Sequence, residues 1–325
     1  MLILSWLFLT FMLLEMPLSA CTRILCNSQP GMIVCGRSLD WHEPLCEALW
    51  LCPKGRMAIG AYENNAYCWQ AKYNSISLVA TRYGDAVVDG LNDVGLGAHL
   101  LYFDGACYEP RDQRPAISQA MWVKFLVDNF ASVEELFFFL ADVQIVIEPI
   151  NGEIIPLHIA VEDRFGDSAI LEFVAGQCTI HHGAEHTVMT NGPSYPHHIE
   201  NLSHYFSFGG ELAIPEGISS MDRFVRASFL LKHACPPNSS PAIVAFVFSL
   251  IRHMAVPFGT PFFNANSHPS PTWWTTVVDL SNCTYYYSSQ LLPQVIWVDL
   301  QQVSWDELDD VYVIDPNDPT VYGAL

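Results

Sequence analysis

Between residues 21 and 41 the chain reads Cys-Thr-Arg-Ile-Leu-Cys, then Asn-Ser-Gln-Pro-Gly, then Met-Ile-Val-Cys-Gly-Arg-Ser-Leu-Asp-Trp. Two short apolar runs separated by a Pro-Gly turn do not suit a helix, because the turn interrupts any 3.6-residue repeat; a β-hairpin uses both runs and the turn. A hairpin centred near Gln29 sets residue 21 opposite about residue 37. Cys21 and Arg37 then lie side by side, with Asp40 just past the strand end.

The same strand-and-turn grammar continues through the first third of the chain. Met57 to Tyr62, Ile76 to Thr81 and Gly97 to Phe103 are further strand candidates. Helices follow. Ile117 to Phe130 carries helical spacing on Met121, Trp122, Phe125 and Leu126, and Ser132-Val133-Glu134-Glu135 is a capping box opening an apolar helix through Leu140. Met221 to Lys232 and Pro241 to His253 read as two more, the latter with proline in its first turn. Strands are expected near Leu157 to Val161, Ala169 to Val174, Thr275 to Asp279, Thr284 to Ser288 and Val295 to Leu300. Strands, helices and strands again predict an α+β protein with two stacked sheets and helices outside them, which gives its 13% aromatic residues a core to fill. Residues 21–325 show no low-complexity linker and no internal repeat, so they read as one domain.

What precedes Cys21 is a different kind of segment. Met1 to Leu14 is apolar or hydroxylic throughout, and Glu15 and Pro17 break the run. A membrane-spanning helix needs roughly 20 apolar residues, so residues 1–20 read as a signal peptide that is removed, leaving no stable membrane span. The expected destination is the periplasm or the exterior. Leu18-Ser19-Ala20-Cys21 also resembles a bacterial lipobox, in which the cysteine sulfur is acylated and the protein is lipid-anchored. With Lys+Arg 14 against Asp+Glu 34, the net charge of −20 excludes nucleic acid as a partner. The ten cysteines contain no Cys-x-x-Cys pair, the twelve histidines form no metal-binding spacing, and no phosphate-cradling glycine motif is present, so neither metal nor cofactor is expected.

Removal of residues 1–20 exposes a thiol and an α-amine on one residue, beside a guanidinium and a carboxylate. Nearby cations lower the pKa of a thiol from about 8.5, and an α-amine titrating at about 7.7 to 8.0 can take the thiol proton. Asp40 is placed to hold the amine through a charge-assisted hydrogen bond. The plainer alternative is a structural hairpin with a surface Arg-Asp pair and a buried cysteine.

Five motifs in order carry a resemblance. Cys21-Thr22 with Gly36-Arg37-Ser38-Leu39-Asp40-Trp41, Trp69 to Ser75, Asp89-Gly90-Leu91-Asn92-Asp93-Val94-Gly95-Leu96 with Leu101-Tyr102-Phe103, Thr190-Asn191-Gly192-Pro193 and Asp222-Arg223-Phe224-Val225-Arg226 resemble the choloylglycine hydrolase family. That family holds penicillin V acylases and bile salt hydrolases and belongs to the N-terminal nucleophile (Ntn) hydrolases. The resemblance implies a four-layer αββα sandwich, two mainly antiparallel sheets between helical layers, and hydrolysis of a linear, non-peptide amide through a thioester. It implies Cys21 as nucleophile, Arg37 near the sulfur, Asp40 as orienting carboxylate, the Tyr102 N–H and the Asn191 amide as oxyanion donors, and Arg223 as a charge stabiliser. His99, three residues before Tyr102, is a weaker candidate for the cleft wall. Tyrosine at 102, as in many penicillin V acylases, favours an N-acyl substrate with an apolar acyl arm, such as penicillin V or an N-acyl homoserine lactone. A conjugated bile salt is the alternative within the family, and a non-catalytic lipoprotein the alternative outside it. Symmetric homo-oligomers are common among such proteins, so self-association is a further expectation.

Overall fold

A computed structural model describes residues 21–260, 270–292 and 294–325; the expected leader, 1–20, lies outside the described residues. Fifteen of the described strands build two large sheets. In chain order they are β1 (Thr22–Cys26), β2 (Val34–Asp40), β3 (Glu47–Cys52), β4 (Ser75–Ala80), β5 (Ala86–Asn92), β6 (Leu96–Tyr102), β7 (Leu157–Asp163), β8 (Ser168–Val174), β9 (Gln177–His182), β10 (Val188–Thr190), β11 (Thr272–Asp279), β12 (Thr284–Ser289), β13 (Ile296–Asp299), β14 (Tyr312–Ile314) and β15 (Gly323–Ala324). The first sheet has the order β10-β1-β2-β11-β12-β13-β15 and the second β9-β8-β7-β6-β5-β4-β3-β14. Every neighbouring pair is antiparallel except β13 with β15. Two short two-stranded pairs, 57–59 with 68–70 and 116–118 with 144–146, stand apart from them.

The helices are α1 (Trp122–Asn129), α2 (Val133–Phe139), α3 (Tyr195–Leu202), α4 (Ser220–His233) and α5 (Ser240–His253). α4 and α5 cover the outer face of the first sheet, and α1 and α2 cover the outer face of the second. This is the expected αββα order of layers. Side chains of the second sheet alternate between two cores: Leu78, Leu91, Leu101, Ala160 and Ile170 point toward the first sheet, whereas Val79, Val87, Leu100, Ile159 and Leu171 pack with Trp122, Phe125 and Leu126 of α1. Burial on both faces is why these strands read as nearly unbroken apolar runs. At Gly36 a Cβ would lie 2.7 Å from Val247 Cγ1, so the absence of a side chain is what lets α5 settle onto β2.

The expected elements recur with shifted ends. The predicted helix 117–130 begins only at Trp122, and Asp89 to Asn92, the first half of the Asp89–Leu96 motif and rich in turn-type residues, is the second half of β5; the turn proper is Asp93 to Gly95. The Ser132 hydroxyl accepts from the Glu135 N–H at 3.4 Å and the Glu135 carboxylate accepts from the Ala131 N–H at 2.9 Å, a capping arrangement that opens α2. Among the described residues no helix is long and apolar enough to cross a membrane.

Candidate active site

The hairpin forms with a register two residues further along than expected. Thr22 pairs with Ser38 and Arg23 with Arg37, which sets Cys21 level with Leu39. Alternation still puts Cys21, Arg37 and Leu39 on one face, where they line an apolar cleft together with Trp41, Tyr83, Tyr102, Ile150 and Ile155. Thr22 and Asp40 turn toward the helical layer. There Arg223, one turn into α4 and fully buried, donates to Cys21 O at 2.6 Å, Thr22 Oγ1 at 2.5 Å and Asn191 Oδ1 at 3.1 Å.

That last bond orients an amide. With Oδ1 held by a donor, Asn191 Nδ2 must point the other way, and it donates to Tyr102 O at 2.8 Å. The backbone of Asn191 is fixed as well. Its carbonyl accepts from Ser220 Oγ at 2.9 Å and His198 Nε2 at 2.8 Å, and the His198 ring lies parallel to Phe224 at 4.6 Å. Tyr102 ends β6. Since Phe103 N donates to Pro156 O at 3.0 Å, alternation along the ladder turns the Tyr102 N–H away from β7, to the side where the β5–β6 pairing has already stopped at Asp89–His99.

Asp40 sits beside the nucleophile candidate: Cys21 Sγ lies 3.8 Å from Asp40 O. Its Oδ1 accepts from Thr272, and its buried Oδ2 has no hydrogen-bond partner among the described residues. Arg37 does not form the surface pair with Asp40 that the plain hairpin reading requires. It is buried, bonds Asp89 at 3.0 Å and the carbonyls of Val88 and Leu100, and lies over the Trp274 ring at 4.9 Å. Of the six residues expected from the sequence, Cys21, Arg37 and Tyr102 thus line the cleft, while Asp40, Asn191 and Arg223 gather behind Cys21 and Tyr102.

The sequence model of the linear amide C–N hydrolases, choloylglycine hydrolase family, matches residues 21–313. The chain belongs to this family. It is 31% identical to a penicillin V acylase of Pectobacterium atrosepticum, over 94% of this chain and 88% of the relative, and 26% identical to a bile salt hydrolase/transferase of Bifidobacterium longum, over 70% and 79%. The structure of penicillin V acylase from Agrobacterium tumefaciens superposes with a TM-score of 0.83 at 31% identity, covering 94% of this chain and 95% of that one. A conjugated bile acid hydrolase from Clostridium perfringens shares the fold, with a TM-score of 0.78 at 21% identity over 94% and 98% of the two chains. As a choloylglycine hydrolase family member the protein is a hydrolase of carbon–nitrogen bonds in linear amides other than peptide bonds.

The electrostatics of this family member correct one expectation. Burial pushes the Cys21 thiol up rather than down; Arg37 and Arg223 pull against it, while Asp40 adds to it. Burial also pushes the Asp40 carboxyl up to about 7, against Arg223, the Thr272 hydroxyl and Arg37, and brings Arg223 down to about 10. His99 does not line the cleft. It lies between the sheets, with Nδ1 2.6 Å from Asp89 Oδ2 and Nε2 2.5 Å from Glu162 Oε1. Cys35, His99 and Glu162 bring possible metal-ligand atoms within 4.8 Å of one another, but both His99 nitrogens face carboxylates and Arg23 occupies the other Glu162 oxygen at 2.5 Å. The trio is part of a charge network, not a vacant cation site. Sequence reasoning missed this network and the supports Thr272, His198 and Ser220. The available signal was a set of charged residues inside apolar strands: Arg23, His99 and Glu162.

Proposed function

We propose that Cys21, freed of residues 1–20, cleaves an N-acyl amide whose apolar acyl arm occupies the cleft. The α-amine takes the thiol proton, and the sulfur attacks the acyl carbon. The carbonyl oxygen gathers negative charge against the Tyr102 N–H and the Asn191 amide, each donor worth roughly 2.7 to 4 kcal/mol in the transition state. Collapse breaks the C–N bond, and the departing nitrogen takes the proton from the α-ammonium. Water then attacks the thioester, its proton passing to the α-amine and on to the sulfur as the thiolate leaves. Asp40 holds the α-amine with the oxygen that has no other partner among the described residues, and Arg37 and Arg223 offset the negative charge around the sulfur.

The observation that carries this reading is the convergence of Arg223 on Cys21 O, Thr22 Oγ1 and Asn191 Oδ1, which ties the thiol and the oriented amide into one rigid unit at the end of an apolar cleft. The walls favour a phenoxyacetyl or fatty acyl arm, since Arg37 is the one charged side chain among the described residues that line the cleft. Penicillin V and N-acyl homoserine lactones are the substrates of choice. Export to the periplasm or exterior with cleavage before an unmodified Cys21 is the processing this chemistry needs, and lipidation of Cys21 is the alternative.

The test begins with the intact mass of the exported chain, which should start at an unmodified Cys21. Hydrolysis is then compared on penicillin V, an N-acyl homoserine lactone and glycocholate, with a quenched reaction examined for a Cys21 acyl adduct. A diacylglyceryl mass would move the reading to an anchored protein, and preference for glycocholate to a bile salt hydrolase. Turnover by a correctly processed Cys21→Ala protein would end the mechanism.

A further inference from the structure

Between the two sheets lies an uninterrupted run of alternating charges, each residue at 0 or 1% exposure: Arg23, Glu162, His99, Asp89 and Arg37, from β1, β7, β6, β5 and β2. Tyr285 of β12 completes it by donating to Asp89 Oδ1 at 2.7 Å. Burying ions is costly, and a well-packed apolar replacement is often as stable or more so. Such a run therefore calls for a role beyond holding the sheets together.

We propose that His99 is a positioning residue for amide cleavage: through the shared Asp89 oxygen it fixes Arg37 at the Cys21 end of the cleft and leaves that guanidinium incompletely neutralised. The proposal rests on Cys21 being the nucleophile. Its geometry is specific. Asp89 Oδ2 meets both His99 Nδ1 at 2.6 Å and Arg37 at 3.0 Å, so one carboxylate oxygen serves two cations. Both His99 nitrogens face carboxylate oxygens, which only accept; the imidazolium alone supplies two N–H donors. In agreement, Asp89 and Glu162 raise the His99 pKa well above its ordinary value despite burial. Three cations then oppose two anions. The single excess positive charge reaches the cleft only at Arg37, whose guanidinium also ties down the Val88 and Leu100 carbonyls at the end of the β5–β6 ladder. The groups acting on His99 are Asp89, Glu162 and the Cys35 thiol, with Arg23, Arg37 and the Tyr285 hydroxyl beyond them; those acting on Cys21 are Arg37, Asp40, Arg223 and, in the processed chain, its own α-amine.

This arrangement predicts shifts of opposite sign, which a purely structural role would not produce. The readout is the pH midpoint of iodoacetamide alkylation at Cys21, followed by peptide mass in protein shown to begin at that residue. His99→Gln removes a positive charge and should raise the midpoint by about one unit; Asp89→Asn removes a negative charge and should lower it by about one unit. Tyr285→Phe keeps every charge and should move it less than either. Folded His99→Gln and Asp89→Asn proteins with unmoved midpoints, or midpoints moved in the same direction, would overturn the proposal. Should those variants not fold, nitrogen NMR of wild-type protein labelled in histidine decides: a buried imidazolium at neutral pH is expected, and its absence there overturns the proposal. Alkylation of Cys21 that leaves hydrolysis intact would instead sink the nucleophile assignment.

Discussion

Replacing Asn191 by alanine separates chemistry from binding. The side chain makes two described bonds, accepting from Arg223 at 3.1 Å and donating to Tyr102 O at 2.8 Å, and losing them at about 1 kcal/mol each should cost about 2 kcal/mol of stability. The catalytic loss should be larger. An oxyanion donor acts on charge that exists only as the acyl carbon becomes tetrahedral, so its removal should lower kcat by about 10²- to 10³-fold, or roughly 2.7 to 4 kcal/mol, and leave KM within about threefold. Asn191→Asp is the sharper companion, because it keeps an acceptor for Arg223 and turns the donor into a second acceptor. Its kcat should fall at least as far. Steady-state hydrolysis of penicillin V or an acyl homoserine lactone supplies both constants, and urea unfolding supplies the stability. An Asn191→Asp enzyme retaining a tenth of wild-type kcat would refute the assignment of the amide, as would a loss confined to KM.

Other expectations are briefer. Gly36→Ala should destabilise the protein by about 1 to 3 kcal/mol through its 2.7 Å encounter with Val247, and Val247→Ala should restore part of that; a lone Gly36→Ala that melts like wild type contradicts the packing. Burial takes the His198 pKa down to about 4, so the ring stays neutral and donates to Asn191 O. His198→Leu should therefore lower kcat about tenfold with KM steady while His198→Gln recovers most of it, and equal defects in both would remove His198 as a support. The Glu162 carboxyl is brought down to about 2: burial opposes the drop, and Arg23 and His99 drive it. A depressed carboxyl stabilises the fold above its unfolded pKa and loses that contribution as pH falls through the folded value. Urea midpoints should accordingly decline between pH 5 and pH 2, by about 3 kcal/mol in all for this group. A flat profile in that window would show that Glu162 is not ionised in the network.

The hairpin and the order of layers were legible because each is local or ordered along the chain, and the six residues proposed for the site were named from motifs that follow one another in the same way. Pro30-Gly31 marks the turn, the buried strands leave apolar runs, and α4 and α5 begin and end within a residue or so of their predicted limits. The segment Asp89 to Asn92 is instructive. Asp89, Gly90 and Asn92 are turn-type residues, yet β5 uses them for tertiary reasons. Asp89 meets two cations, Asn92 Nδ2 caps the Val127 and Phe130 carbonyls at 3.0 and 2.8 Å, and a Cβ at Gly90 would press on Ile76 O and Val123 within 3.2 Å. None of these partners is near in sequence. The same holds for the thiol: neighbouring cations can be guessed from a hairpin, but the depth of burial that outweighs them depends on how β6, β11 and α4 close around Cys21.

The strand that follows Cys21 is hydrogen-bonded along both edges, to β2 on one side and β10 on the other, and Arg223 clips its first carbonyl from above. Chain ends ordinarily fray, so a reactive group placed there would have to be immobilised anew in every catalytic cycle. Under the proposed processing the end of the chain is a central thread of the fabric, and the loss of freedom needed to aim the sulfur at a carbon, with the amine beside it to take the proton, is incurred once, as the protein folds. The proposed nucleophile would then work as a fixed tool, and unfolding and inactivation of the enzyme should prove to be a single event.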